Sequence, residues 1–391
     1  MIYIRIFLLW IITFFITLQT RDTPIHVLFF VDTLMSETKS IIINQALGLL
    51  DKGFCVSILA QKQGDFYDAT IDQLFSGHMH YGPLTDDIVN SVDVIICQYG
   101  TLGKECAAHL HKHKKKIKFI TFFRGADITS TKETQINSYD LLFSMGDLFM
   151  PVCAYYAYLL EILGCDPQKI LVQPSGINCS LFQFRNKTPD VARSFYKSDN
   201  GKPIRLISVG RLIEKKGIKD AIKAISSLIH EGYNIEYTII GDGKQKKYLS
   251  KLTQQLGIEQ NVHFLGRISN KEIATLLQDS HIFILPSVTC PDGSQEGIPN
   301  ALKEAMATGL PVISTYHAGI RELIKHEKSG LLTPERDIDS LMNNIKYLIH
   351  HPKNWPSMTA LARETVETHY DIKYLNHLLA ERIRALVKTS D

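Results

Sequence analysis

Two glutamates and two cations carry the chemistry that this chain can do. Glu296 and Glu304 are separated by seven residues. Between them Gly297, Ile298, Pro299 and Asn300 read as the opening of a helix. Proline suits the first helical position, where its missing N–H costs no intrahelical bond. Ala301, Leu302, Ala305 and Met306 continue as an apolar stripe at helical spacing, and Gly309 is placed to end it. The free N–H groups and positive dipole end of such a helix seat a phosphate or diphosphate. Glu304, one turn in, reaches past the phosphates to accept hydrogen bonds from sugar hydroxyls, while Glu296 guards the mouth. Upstream, Arg211 and Lys216 follow the strand-like run RLISVG and precede helical spacing at Ile218, Ala221, Ile222, Ile225 and Leu228. Two cations there can neutralise a diphosphate as its bond to a sugar breaks, and losing one such donor costs roughly 10²–10³ in rate. The plainer reading is a solvated basic turn, because Lys215 stands beside Lys216. Phosphate and polyol together describe a nucleotide sugar.

The elements that must position these groups alternate along the chain. IHVLFFV, CVSILA, DVIICQ, KFITFF, LFMPV and KILVQ are strand candidates, with helical segments such as IIINQALGLLDKG between most of them. Apolar strands alternating with amphipathic helices indicate a parallel sheet covered on both faces. A polar stretch at 186–203 is the linker candidate, and the βα alternation restarts after it. Ser269 and Glu272 have capping-box spacing ahead of a helix through Leu277. The fold class expected is α/β, two doubly wound Rossmann-like domains facing across a cleft, with ligand at the carboxyl ends of the strands.

Composition agrees. The 391 residues suffice for two cored domains, and 45% hydrophobic with 21% charged residues is ordinary for a globular protein. A net charge of +3 makes no case for nucleic acid. Seven scattered cysteines form neither a disulfide framework nor a CxxC pair and read as reduced thiols. The histidines at 78, 80, 111 and 113 have no cysteine or carboxylate spacing that supports a metal. GDGKQK lacks the third glycine of a dinucleotide loop, so Gly243 reads as part of a donor pocket.

With five motifs in order, the chain resembles a retaining glycosyltransferase of the GT-B fold, family 4-like (glycosyl transferases group 1). The motifs are E-x₇-E before GLPVIST, SVGRLIEKKG, IIGDG, VHFLGRIS and HIFILPS. The wording LMSETKSIIINQALGLLDKG and EGIPNALKEAMATGLPVISTYHAGIRELI is similar to the exopolysaccharide, colanic-acid-type subgroup. The resemblance implies Arg211 and Lys216 on the diphosphate, Glu304 on the ribose and Glu296 near the reacting carbon. Gly243, Gly297, Ile298, Pro299 and Asn300 join the donor site, and Arg267 and Ile268 flank the base. Ser36, Glu37, Thr38, Arg124 and Asp127 line the acceptor side. Arg124 stands where many relatives have histidine; a fixed cation there suits a sugar phosphate or acidic sugar, and Asp127 is available to orient it. Asn178 marks the hinge side of the cleft.

The implied reaction moves a sugar from a UDP- or GDP-linked donor to a glycan or polyprenyl-linked saccharide. No cofactor or metal is expected. A GT-B UDP-sugar epimerase or hydrolase, or a decayed transferase serving as a binding protein, are the alternatives. Expected boundaries are an apolar extension (1–24), an acceptor-side domain (25–190), a donor-binding domain (203–367) and a helix crossing back (368–391). Residues 6–18 are apolar but shorter than the roughly 18–20 needed to span a bilayer. They read as an anchor, a signal-like segment, the product of an upstream start or a packed extension; a nucleotide-sugar donor, which lies on the cytosolic side, places the catalytic body on the cytoplasmic face, associated with the membrane through this segment. The basic run 111–118 is a solvated helix end or a contact to an anionic surface.

Overall fold

The computed structural model describes residues 23–34, 39–63, 75, 77–131, 133–134, 137–186 and 202–388. It contains two six-stranded parallel sheets. The first is built from β1 (His26–Leu34), β2 (Cys55–Gln63), β3 (Met79–Tyr81), β4 (Val94–Cys97), β5 (Lys118–Phe123) and β6 (Leu148–Pro151). The second holds β7 (Ile204–Val209), β8 (Ile235–Ile240), β9 (Val262–Gly266), β10 (Ile282–Ile284), β11 (Val312–Thr315) and β12 (Leu331–Thr333). The strand orders are β3-β2-β1-β4-β5-β6 and β12-β11-β10-β7-β8-β9. Both have the doubly wound order, with a switch point between β1 and β4 in one sheet and β7 and β10 in the other.

The helices of seven residues or more are α1 (Asn44–Leu50), α2 (Gly100–Lys112), α3 (Ala154–Ile162), α4 (Ile218–His230), α5 (Lys246–Gln255), α6 (Asn270–Asp279), α7 (Asn300–Thr308), α8 (Ile338–His350), α9 (Trp355–Tyr370) and α10 (Ile372–Lys388). Val27 to Val31 are essentially inaccessible on both faces of β1, which is why that strand reads as continuous apolar sequence rather than alternation. Leu28 and Phe30 join a core that runs on through Tyr156 into the second sheet. Val27, Phe29 and Val31 join a second core shared with Leu379, Ala380 and Ile383 of α10. The last helix therefore sits on the first sheet's side, where Asn376 Nδ2 donates to the Asn44 carbonyl at 3.0 Å.

Several local expectations meet their structures. Ser269 caps α6 in a reciprocal box with Glu272, and Gly309 closes α7 in the left-handed region at φ 85°. KILVQ is not a strand. It runs beside β6 with a single bridge, Phe149 to Ile170. Of the linker, 187–201 lies outside the described residues, as do Ser36, Glu37 and Thr38.

The membrane placement needs correction. No helix among the described residues is long and apolar enough to cross a membrane; the longest, α10, has 17 residues and one polar face. The apolar run 6–18 lies outside the described residues. The basic run is engaged locally, with Lys118 on Asp147 at 3.0 Å and Lys115 on Asp86 at 3.7 Å.

Candidate active site

β7 ends at Val209, and its carboxyl end leads through Gly210 and Arg211 into a short 3₁₀ turn, Glu214–Lys216. Gly217 then takes φ 67° before α4 begins. A Cβ there would fall 1.8 Å from the Pro286 carbonyl oxygen, so glycine lets the turn lie against the end of β10. The Val288 N–H donates to the Lys215 carbonyl at 3.0 Å and ties the two segments together. Both lysines are thereby fixed at the switch point of the second sheet, where ligands of open α/β sheets bind.

Their side chains converge on one carboxylate. Lys215 Nζ lies 3.1 Å from Glu296 Oε1 and Lys216 Nζ 2.9 Å from Oε2. Glu296 is only 8% exposed. Burial alone would raise its pKa, but the two ammonium groups outweigh that and hold it at about 2. Burial lowers the Lys216 pKa in spite of the glutamate, and the nearby Lys215 and Arg211 charges push the same way. The cluster is one anion between two cations, and Glu296 is ionised at neutral pH.

The Glu296 backbone is held as firmly as its carboxylate. Its N–H donates to His317 Nε2 at 2.9 Å, so the imidazole proton sits on Nδ1 and points to Glu335 Oε1, 2.6 Å away. Glu335 in turn accepts from the Thr289 N–H at 2.7 Å. One residue earlier, the Gln295 N–H donates to Thr129 Oγ1 at 3.0 Å, and Tyr156 donates its hydroxyl to the Gln295 carbonyl at 3.2 Å. Thr129 and Tyr156 belong to the first half, so the loop bearing Glu296 bridges the cleft.

Gly297, Ile298 and Pro299 are buried and lead into α7. Pro299 is the N-cap, one position before the expected first turn, and Asn300 opens the helix without a side-chain cap. No side chain caps the start of this helix, the kind of helix end at which anions bind. Glu304 is partly buried, and burial pushes its pKa up to about 7 against the opposing Lys303 charge. It does not touch the Lys–Glu cluster. Lys303 is fully buried with its own pKa lowered by burial to about 7, and it donates to the Ser175 carbonyl of the first half.

Arg211 is exposed at the end of β7, and its charge bears on Lys216 and on Tyr99 across the cleft. Gly243 packs over Leu212, where a Cβ would lie 2.5 Å from the carbonyl oxygen. Arg267 is exposed just past the end of β9 and Ile268 packs on the core. Asn178 Oδ1 accepts from the Ser180 and Leu181 N–H groups in a turn.

Arg124 and Asp127 do not form a salt bridge, and Asp127 does not orient the guanidinium. Arg124 donates to Gln98 Oε1 at 2.7 Å, Gln45 Oε1 at 2.9 Å and Ser175 Oγ at 3.0 Å, and lies over the Phe122 ring. Asp127 instead accepts the backbone N–H groups of Gly100, Arg124 and Gly125. A short carboxylate two or three residues from a turn satisfies nearby amides more readily than a distant side chain.

Sequence reasoning missed three participants. Lys215 points inward rather than into water. His317 and Glu335 support Glu296 from β11 and β12 loops, and only the KK doublet gave any local signal of the set.

Residues 192–365 match the family described as glycosyl transferases group 1. The chain is 36% identical over 299 residues to the putative colanic acid biosynthesis glycosyltransferase WcaL of Salmonella typhimurium, covering 75% of this chain and 71% of that one. It is 35% identical over 300 residues to the amylovoran biosynthesis glycosyltransferase AmsK of Erwinia amylovora, covering 76% and 71%. Among solved structures, Anabaena HepE in complex with UDP superposes with a TM-score of 0.76 at 16% identity, covering 92% of this chain and 100% of that one.

Proposed function

The chain belongs to the glycosyl transferases group 1 family and is a glycosyltransferase, and from that premise we propose a retaining, metal-independent transfer in exopolysaccharide biosynthesis. The donor is a UDP- or GDP-linked sugar and the acceptor a glycan or polyprenyl-linked saccharide. The observation that carries this reading is the pair of ammonium groups fixed on Glu296 beside the uncapped start of α7. In the bound state Lys216 and Arg211 take the diphosphate, joined by the N–H groups of Asn300 and Ala301. Lys215 stays on Glu296, whose carboxylate accepts from a donor-sugar hydroxyl. Glu304, one turn into α7, accepts from the ribose.

The acceptor hydroxyl attacks the anomeric carbon on the face from which the diphosphate departs. The carbon–oxygen bond to phosphate breaks with its electron pair on the leaving group, and the hydroxyl proton passes to that phosphate. Cations preset where charge grows lower the barrier without having to reorganise. An ionised Glu296 serves as acceptor and electrostatic partner rather than as proton donor.

The test is transfer from UDP-glucose and GDP-mannose to a polyprenyl-linked saccharide, with product configuration read by NMR and EDTA present in a parallel reaction. Retained configuration and insensitivity to EDTA are expected. Inverted product, or loss with EDTA while thermal melting of the chain is unchanged, overturns the mechanism, and an isomer or free sugar formed without acceptor favours the epimerase or hydrolase instead.

A further inference from the structure

The opposite, amino-terminal edge of the first sheet holds a second set of reactive side chains that the transfer reaction does not use. In the parallel register His26 pairs with Cys55, and Ile58 with Met79. Side chains alternate along a strand while in-register neighbours share a face. His26, Cys55, Ser57, His78 and His80 therefore all stand on one face, with neighbouring strands roughly 4.8 Å apart. His26 Nε2 lies 2.8 Å from Ser57 Oγ, and His78 Nδ1 lies 3.2 Å from the same oxygen. The two rings meet edge to face at 5.7 Å. One nitrogen of each imidazole and the Cys55 sulfur all lie within 4.8 Å of one another.

His26 Nε2 points into the group, against Ser57 Oγ. Two imidazoles and a thiol are a soft, borderline donor set suited to Zn(II). Zn–N near 2.0 Å and Zn–S near 2.3 Å need ligand atoms roughly 3.3–3.6 Å apart, so side-chain rotation of about 1 Å closes the site. All three residues are partly exposed at the sheet edge, which leaves a path for an ion.

We propose that His26, Cys55 and His78 form a zinc site, with Ser57 holding the two imidazoles in place when the ion is absent and His80 or water completing four ligands. Binding forms two Zn–N bonds and one Zn–S bond, releases the Cys55 proton to solvent and breaks both hydrogen bonds to Ser57. The site lies at the sheet edge remote from the sugar-transfer cleft, so its role is to clamp β1, β2 and the segment before β3.

The experiment is titration of the full-length chain with Co(II) as a spectroscopic stand-in for Zn(II), followed by Zn(II) competition. One equivalent should produce a thiolate-to-cobalt charge-transfer band that Zn(II) abolishes. Cys55→Ser should remove the band, and His78→Gln should weaken binding by at least about tenfold, while Ser57→Ala keeps both. Thermal melting of each variant without metal shows whether it is folded. If a substitution unfolds the chain, protection of Cys55 from alkylation by Zn(II) in the unsubstituted protein replaces it. A second cluster, Asp86, His109 and His113, has no sulfur. Metal binding without the charge-transfer band, or binding lost only in His109→Ala, would place the ion there and overturn the assignment. A band that survives Cys55→Ser, no binding at all, or no protection of Cys55 overturns it equally.

Discussion

Lys216 and Glu296 meet at 2.9 Å although they stand eighty positions apart in the chain. The contact joins the carboxyl end of β7 to the loop before α7, so a largely buried cation is held against an internal anion. On the function proposed above, donor binding exchanges that anion for a phosphate and frees Glu296 to face the sugar.

Lys216→Ala is expected to lower kcat/KM by about 10²–10³-fold, the scale of losing one preset charge donor. Glu296→Gln should reduce turnover similarly and also destabilise the fold by about 2 kcal/mol, because two partly buried ammonium groups lose their partner. Steady-state kinetics and urea unfolding of both variants read the two effects separately. Near-normal turnover in either variant removes that residue from the donor site.

Acid sensitivity follows from the same pair. The Glu296 pKa in the folded chain, about 2, lies below its ordinary 4.5. Its contribution to stability is therefore complete above pH 4.5 and lost as the pH falls toward 2. Unfolding curves of the unsubstituted chain and Glu296→Gln should converge over that window. Parallel curves would show that the ion pair contributes nothing.

Glu304 titrates in the opposite sense, raised by burial to about 7. The ionised form makes the stronger, charge-assisted hydrogen bonds to sugar hydroxyls, so the KM for the donor should climb as pH drops below 7. Glu304→Gln should have a high KM that no longer varies with pH there. A pH-independent KM in the unsubstituted enzyme would take Glu304 off the ribose.

His317 accepts the Glu296 backbone N–H and is itself buried. His317→Ala should cut kcat by up to about 10²-fold, the effect of displacing a reacting group by roughly 1 Å, with donor Kd by calorimetry little changed. A matching loss of donor affinity would indicate a collapsed site rather than a misplaced glutamate.

Gly217→Ala sets a Cβ 1.8 Å from the Pro286 oxygen at φ 67°. Steric overlap with backbone cannot be relieved by a rotamer change, so a loss of about 3 kcal/mol is expected. A stability within about 0.5 kcal/mol of the parent chain would show that the turn is free to shift.

Much of the architecture was legible because it depends on local pattern. Strands buried on both faces must be apolar along their length, as Val27 to Val31 are, and an amphipathic helix must follow each to cover them. Gly309 and the Ser269–Glu272 box act within four residues of themselves, so they declare helix ends without tertiary help. Glu296, Glu304, Arg211 and Lys216 were singled out from residue type and spacing beside predicted strand and helix ends, and of these the structure brings Lys216 and Glu296 into contact.

What depended on three-dimensional placement was not legible. Whether Lys215 faces water or Glu296 is decided by a turn pressed against β10, and no neighbour in sequence encodes that. Asp127 took backbone amides instead of Arg124 because burial made nearby N–H groups the more urgent partners. His26, Cys55 and His78 are far apart in the chain and share a face only through parallel strand register. Composition and periodicity determined which elements form; hydrogen-bond register and packing, which act between distant segments, decided which side chains meet.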